Sequence, residues 1–433
     1  MRAFLIVWFG QLVSMVGTGM TRFALIVWLW DRTQAAVPMT LMVVFAALPA
    51  VVLRLFAGVV VDRWDRRRLM IWGDLLAGLS TVALVLLYAQ GSLQVWHVYA
   101  SALVSGTAST FQSLAYTTTI TTLIPKAHYP RASGLISLAH YATTIAAPLL
   151  AGLLITVIGV AGVLMIDVAT FLFAVGTLLW VRFPPRARAE HTENGVWRNA
   201  LFGFRYIAER PSLLGLLFIT TLFTVMESLG YPLIAPLLLA RTGGDEALLG
   251  LVQAVMGTGG VLGGAALVIW GGPKRRIHGL LIGLLLTGIL GDTLMGVGQV
   301  LPVWLVAGFC LEVFIPMLVA ANDTIWRSKV PSEAQGRVFA TTYLLMDIGE
   351  PLATLTGGLL VDSVFEPALR PGGSLAPLFG GLVGTGPGAG MGLVLLLCGV
   401  LSASAGVWGY LFRPVRAVET LLPDYDSGAE KAA

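Results

Sequence analysis

Several carboxylates in this chain stand where a carboxylate is expensive. Glu227, Glu312, Asp347 and Glu350 each fall near the middle of a run of apolar residues. An ionisable side chain in a bilayer core costs at least ~2.5–3.5 kcal/mol on insertion scales, so it has either a partner or a job. Asp347 and Glu350 are three apart and share a helical face. Two carboxylates in one apolar site do not readily both ionise, and a group protonated toward one compartment and released toward the other is a proton carrier. Glu227 and Glu312 have no basic residue at matching depth in their half of the chain, which favours proton or substrate-cation binding. His140 carries the side chain that changes charge near neutral pH and is a candidate relay facing Asp347 and Glu350, or a hydrogen-bonded packing residue. The competing reading for any of these acids is a structural ion pair. Arg54 with Asp74, and Arg22 with Asp167, lie at matching depths and are expected to pair in that way, with Arg22 kept as a binding candidate. Asp292 lies in another apolar run and finds no account at this level.

Those acids need helices to hold them. Of the 433 residues 57% are hydrophobic and 12% charged, against about 25% charged in soluble proteins, and the mean hydropathy is +0.84. A bilayer-spanning helix takes ~20 residues. Apolar segments run over 3–30, 38–61, 69–89, 96–124, 132–158, 161–181, 212–240, 247–270, 278–298, 301–326, 338–361 and 391–412. The expected fold is an all-α integral membrane protein, twelve transmembrane helices in two pseudo-symmetric six-helix bundles. The bundles are 1–181 and 211–413, joined by a linker over 182–210 and followed by a polar, mobile tail over 414–433. Within the linker, Trp197, Leu201, Phe204 and Ile207 or Ala208 share one face, the pattern of an interfacial helix. Most basic residues fall in the loops of one side, so by the positive-inside rule both termini are cytoplasmic in a cell membrane. The halves echo one another: Pro125, Arg131, Gly152, Leu153 and Leu154 recur at one offset as Pro331, Arg337, Gly358, Leu359 and Leu360. Two parallel halves are the plan of a rocking transporter.

Much else is excluded. The net charge of +4 sits in short clusters that report orientation rather than nucleic-acid binding. Cys310 and Cys398 make neither a disulfide framework nor a metal set. The five histidines never reach H-E-x-x-H spacing, and neither a phosphate-binding G-x4-G-K-[ST] loop nor a G-x-S-x-G elbow occurs. No enzyme and no cofactor is expected. The apolar N-terminus is read as a retained first span and not as a signal peptide.

At the end of the second segment, Gly58-Val-Val-Val-Asp62-Arg63-Trp64-Asp65-Arg66-Arg67-Arg68 resembles the major facilitator superfamily signature G-x-x-x-D-R-x-G-R-R, with Asp65 in place of its second glycine. The stretches GQLVSMVGTGMTRFAL, VPSEAQGRVFA and GGLLVD are similar to the third drug–proton antiporter branch, which contains macrolide-efflux and enterobactin-exporter proteins. The resemblance implies that Gly58, Asp62, Arg63, Arg66 and Arg67, with Asp74 nearby, latch the cytoplasmic side. It implies too that Gly134, Pro148 and Gly152 form the bent, small-faced fifth helix of exporters, although three of that motif's glycines are Thr or Ala here. In span eight, Gly259, Gly260, Gly263 and Gly264 suit close helix packing. Gln11, Gln112, Tyr116 and Thr117–Thr119 supply polar surface, and Trp8, Phe23, Phe111, Phe223 and Trp326 aromatic surface, to the spans expected to line a cavity. The expected activity is export of a small amphiphilic substrate by proton antiport, from a monomer in the bilayer. An importer or lipid flippase on the same scaffold is the alternative, and a non-transporting scaffold or enzyme the outsider. The Gly/Pro-rich stretch 366–390 is expected outside, as a loop or a re-entrant segment.

Overall fold

In a bilayer every backbone N–H and C=O must be satisfied within its own segment, so long apolar runs coil into helices. The structure, a computed structural model, describes residues 2–54, 66–123, 129–181 and 196–425. Every regular element among them is helical: α1 (Arg2–Thr33), α2 (Val37–Arg54), α3 (Arg66–Ala89), α4 (Val95–Leu123), α5 (Tyr129–Trp180), α6 (Val196–Ala208), α7 (Pro211–Gly230), α8 (Ile234–Thr242), α9 (Glu246–Trp270), α10 (Arg276–Leu286), α11 (Leu294–Val297), α12 (Leu301–Val313), α13 (Ile315–Lys329), α14 (Ser332–Leu360), α15 (Glu366–Leu369), α16 (Ala376–Val383), α17 (Ala389–Leu411), α18 (Arg413–Arg416) and α19 (Val418–Leu421). A 3-10 turn, Tyr231–Leu233, joins α7 to α8, and π-turns Thr287–Thr293 and Val361–Phe365 follow α10 and α14. Among the described residues nine helices are long and apolar enough to cross a membrane. One of these, Leu138–Trp180, is broken at Gly159, whose φ of 67° and ψ of 179° lie outside the helical region. Only glycine takes that conformation without strain, and the break falls where the sequence divides its fifth and sixth segments.

The chain divides into two compact units, Met1–His191 with Leu238–Ala254, and Thr192–Leu237 with Val255–Ala433. In the first unit, small residues bring helices together. Cβ atoms at Gly10, Gly17 and Gly19 would strike Thr177, Thr170 and Ala147, so α1 lies directly on both arms of α5. In the second unit, Gly259 packs on the Phe309 carbonyl and Gly263 on that of Val313, which is the close packing the glycine spacing predicts. On α6, Ile207 is buried and Gly203 lies against Arg337 and Thr341 of α14, whereas Phe204 is 51% exposed. The expected apolar face of that helix is therefore split between protein and surroundings.

One expectation changes, and one open alternative gains detail. The segment after Arg413 is not mobile as far as Asp424. Val415 and Val418 are fully buried, Lys329 Nζ donates to the Glu419 and Leu422 carbonyls at 2.6 and 2.8 Å, and it pairs with Asp424 at 2.8 Å. The Glu419 carboxylate caps α10 by accepting the Arg276 and Ile277 N–H groups at 3.1 and 3.0 Å. The 366–390 stretch is also ordered, carrying α15 and α16. The Glu366 carboxylate accepts the N–H groups of Gly388 and Gly390 at the start of α17, both at 2.8 Å.

Candidate functional site

In the first unit two buried acids are each held by uncharged donors. Asp74 on α3 is 5% exposed; its Oδ2 accepts Gln11 Nε2 at 3.0 Å and its Oδ1 accepts Gln112 Nε2, which also donates to Gln11 Oε1 at 2.7 Å. The amides of α1 and α4 thus close a polar triangle with Asp74 inside the unit. Two glutamines, not an arginine, are the partners of Asp74 among the described residues, and the side chain of Arg54 lies outside them. Asp167 is 3% exposed and accepts three threonine hydroxyls: Thr18 at 3.2 Å on Oδ1, Thr21 at 2.9 Å and Thr81 at 3.0 Å on Oδ2. The expected pair with Arg22 is not formed. Thr18 and Thr21 are three apart on the α1 face turned to Asp167. Arg22, one residue after Thr21 and one turn after Thr18, lies at the edge of that face and is exposed.

The export-type helix has a clear packing role. A Cβ at Gly152 would stand 2.7 Å from the Glu246 carbonyl and 3.1 Å from Gly250 Cα, and one at Gly250 would stand 2.5 Å from the Pro148 carbonyl. The backbones of α5 and α9 touch here within the first unit. Pro148, which leaves the α5 backbone without one N–H, lies at the contact itself. Gly134 is in α5, but its surroundings lie outside the described residues.

In the second unit Glu227 on α7 and Glu312 on α12, each singled out in the sequence for want of a basic residue at its depth, come together, and Asp292 joins them. Glu227 interacts electrostatically with Asp292 and Glu312, and Asp292 with Glu312. Tyr231 hydrogen-bonds the Glu312 carboxylate. Glu227 Oε1 is buried without a hydrogen-bond partner among the described residues. A cavity of about 230 Å³ opens in the same unit, lined by Phe223, Thr224, Asn322, Trp326, Phe339 and Thr342 among others. Phe223 lies one turn before Glu227 on α7. Of the aromatics proposed from sequence, Phe223 and Trp326 line this space; Asn322, Asp323 and Thr342 were missed there, polar residues among apolar ones that mark an amphiphile's pocket.

Other candidates fare differently. Glu350 is exposed, so it is not half of a buried carboxylate pair, and the side chain of Asp347 lies outside the described residues. His140 is exposed, with its ring 5.8 Å from that of Tyr141. Gly58, Asp62 and Arg63 lie outside the described residues. Arg66 and Arg67 begin α3, but their side chains do too.

Residues 7–354 match the family model of the Major Facilitator Superfamily. The chain is 23% identical over 370 residues to Macrolide efflux protein A of Streptococcus pyogenes, covering 83% of this chain and 90% of that protein. It is 23% identical over 366 residues to Enterobactin exporter EntS of Citrobacter koseri, covering 82% and 85%. Among solved structures, a bacterial homolog of the human lysosomal transporter Spinster, inward-facing and unoccupied, superposes with a TM-score of 0.70 at 15% identity, over 97% of this chain and 98% of that one.

Proposed function

The chain belongs to the Major Facilitator Superfamily, and we propose that this membrane transporter exports an amphiphilic drug or secondary metabolite across the cytoplasmic membrane by proton antiport. The observation that carries the reading is the meeting of Glu227 and Glu312 in one unit, with a buried carboxylate oxygen that has no partner among the described residues. A carboxyl so placed holds a proton taken from the outer side and gives it up when a substrate bearing a positive charge takes its place. The aromatic and apolar walls of the nearby cavity suit the apolar part of such a molecule, while Asn322 and Thr342 orient it. Efflux is supported by the similarity to a macrolide efflux protein and an enterobactin exporter and by the small-faced α5 contact at Gly152. In this reading the protein works as a monomer of twelve spans with both termini cytoplasmic. Asp62, Arg63, Arg66 and Arg67 latch its cytoplasmic side.

The test is proton release from acidified inverted vesicles on addition of macrolides, lipophilic cations or siderophores. Wild type is compared with Glu227→Gln and Glu312→Gln at matched expression. A substrate-dependent collapse of the pH gradient, lost in one variant, is the expected result. Labelled substrate that still moves without any collapse removes proton antiport, and accumulation in the opposite sense removes export.

A further inference from the structure

Asp292 has no role in the account so far, yet at 2% exposure it is the most deeply enclosed acid of its unit among the described residues. It lies in the π-turn Thr287–Thr293, a widened turn that is rare and recurs at functional sites. Glycine contacts tie this turn to the segments that carry the other two acids, directly to α12 and by way of α17 to the end of α7. A Cβ at Gly291 would stand 2.8 Å from Leu311 Cα, so the residues just before Asp292 and Glu312 meet backbone to backbone. Gly399 of α17 lies against Gly288 and Thr293 of the turn. Its neighbour Cys398 puts Sγ 3.6 Å from where a Cβ on Gly230 would be, one turn beyond Glu227. Glu227, Asp292 and Glu312 therefore surround one small volume.

The segments around that volume carry more buried polar atoms than they satisfy. Glu227 Oε1, Thr287 Oγ1, Thr293 Oγ1 and Ser402 Oγ are all buried without a partner among the described residues, and Thr287 and Ser402 are fully enclosed. Orphaned buried polar atoms are a few per hundred residues in native proteins, each calling for a water, an ion or a function. Four on three adjoining segments mark a place for water and mobile protons. The titratable groups facing Asp292 are Glu227 from α7, Glu312 from α12 and Cys398 from α17, with Tyr231 joined through Glu312. Among the described residues no Lys, Arg or His acts electrostatically on these three acids. No group of His, Cys, Asp and Glu among the described residues is arranged to hold a metal ion.

We propose that Asp292 is a third proton-carrying residue, sharing protons with Glu227 and Glu312 across this enclosed polar volume. The proposal rests on the antiport reading above but is tested without transport. The full chain is purified as wild type, Asp292→Asn, Glu312→Gln and the double variant. Thermal melting establishes that each is folded, and the infrared carbonyl band of protonated carboxylic acids is followed against pH without substrate. Asp292→Asn is expected to remove part of the band and to change the proton affinity of the remaining acids about tenfold or more, the effect of a neighbouring charge. The change is expected to differ when Glu312 is already Gln. Loss of one independent acid, with the others titrating as in wild type, overturns the proposal. Should Asp292→Asn fail to fold, Asp292→Glu keeps the acid and displaces it by one methylene, and an unaltered titration there overturns the proposal equally. Intact coupling in the infrared with export indifferent to the pH gradient would overturn antiport alone.

Discussion

A single methyl group at Gly152 tests whether the contact between α5 and α9 is a moving part. In Gly152→Ala the new Cβ stands 2.7 Å from the Glu246 carbonyl oxygen and 3.1 Å from Gly250 Cα, and both obstacles are backbone. No side chain can swing aside, so the helices must part by roughly half an ångström at a cost of ~1–3 kcal/mol for overpacking. Alanine also favours helix over glycine by ~1 kcal/mol, but that gain is present whether the helices touch or not and cancels between the two arrangements. If alternating access makes and breaks this contact, the substitution shifts the population by about 5- to 160-fold toward the open arrangement. Thr143 lies nine residues earlier on α5, about two and a half turns further in, and its hydroxyl is buried. A Thr143→Cys reporter should react with a membrane-impermeant maleimide added from outside at least fivefold faster in the Gly152→Ala background. Gly264→Ala is the control, since its Cβ would meet only Pro316 Cγ, at 4.0 Å. Equal labelling in the Gly152→Ala and control backgrounds, with both proteins folded, would refute the gate and leave static packing.

Three further outcomes follow from particular contacts. Asp167→Asn loses charge-assisted hydrogen bonds to Thr18, Thr21 and Thr81 and should lower unfolding stability by roughly 1.5–3 kcal/mol. Arg22→Ala, at an exposed site, should leave the melting curve in place; the reverse ranking would restore the ion pair. Lys329→Met strands the Glu419 and Leu422 carbonyls and should cost ~1–3 kcal/mol, while Asp424→Ala, whose side chain is 60% exposed, should cost under ~1 kcal/mol in the same thermal denaturation. Trp326→Ala opens the cavity wall and should weaken binding of an apolar substrate by about tenfold or more, the loss of a buried aromatic contact. Trp408→Ala, which removes a ring stacked on Phe412 away from that cavity, should leave substrate binding unchanged in equilibrium binding assays.

How far the sequence was legible depended on whether the 3.6-residue period held. Where helices are regular, type and spacing sufficed: the break at Gly159 and the glycine face of α9 follow from apolar length and spacing, and depth counting singled out Glu227 and Glu312 as acids without a basic partner in their half. Depth alone failed at Asp167, because matching height does not say which of several polar side chains on a helix meets the acid. The Thr18-x-x-Thr21 spacing was the available signal, two hydroxyls on one face that satisfy the acid without a cation. Composition failed at the tail, where Val415 and Val418 are too few to register as an apolar run yet are fully buried beneath Lys329 and Glu419. Asp292 is the instructive miss. Sequence periodicity assumes 100° per residue, and the π-turn Thr287–Thr293 inserts extra chain into the helix. Everything after that insertion is rotated from its expected face. Asp292, left without an account by its apolar run, lies within that insertion and interacts with Glu312 and Glu227. Only the small residues Gly288 and Gly291 hint at it, since a widened turn can be pressed against two neighbouring backbones only where side chains are absent. A buried acid without an account, followed or preceded by glycines three apart in an apolar run, is the pattern that signals a helix out of phase.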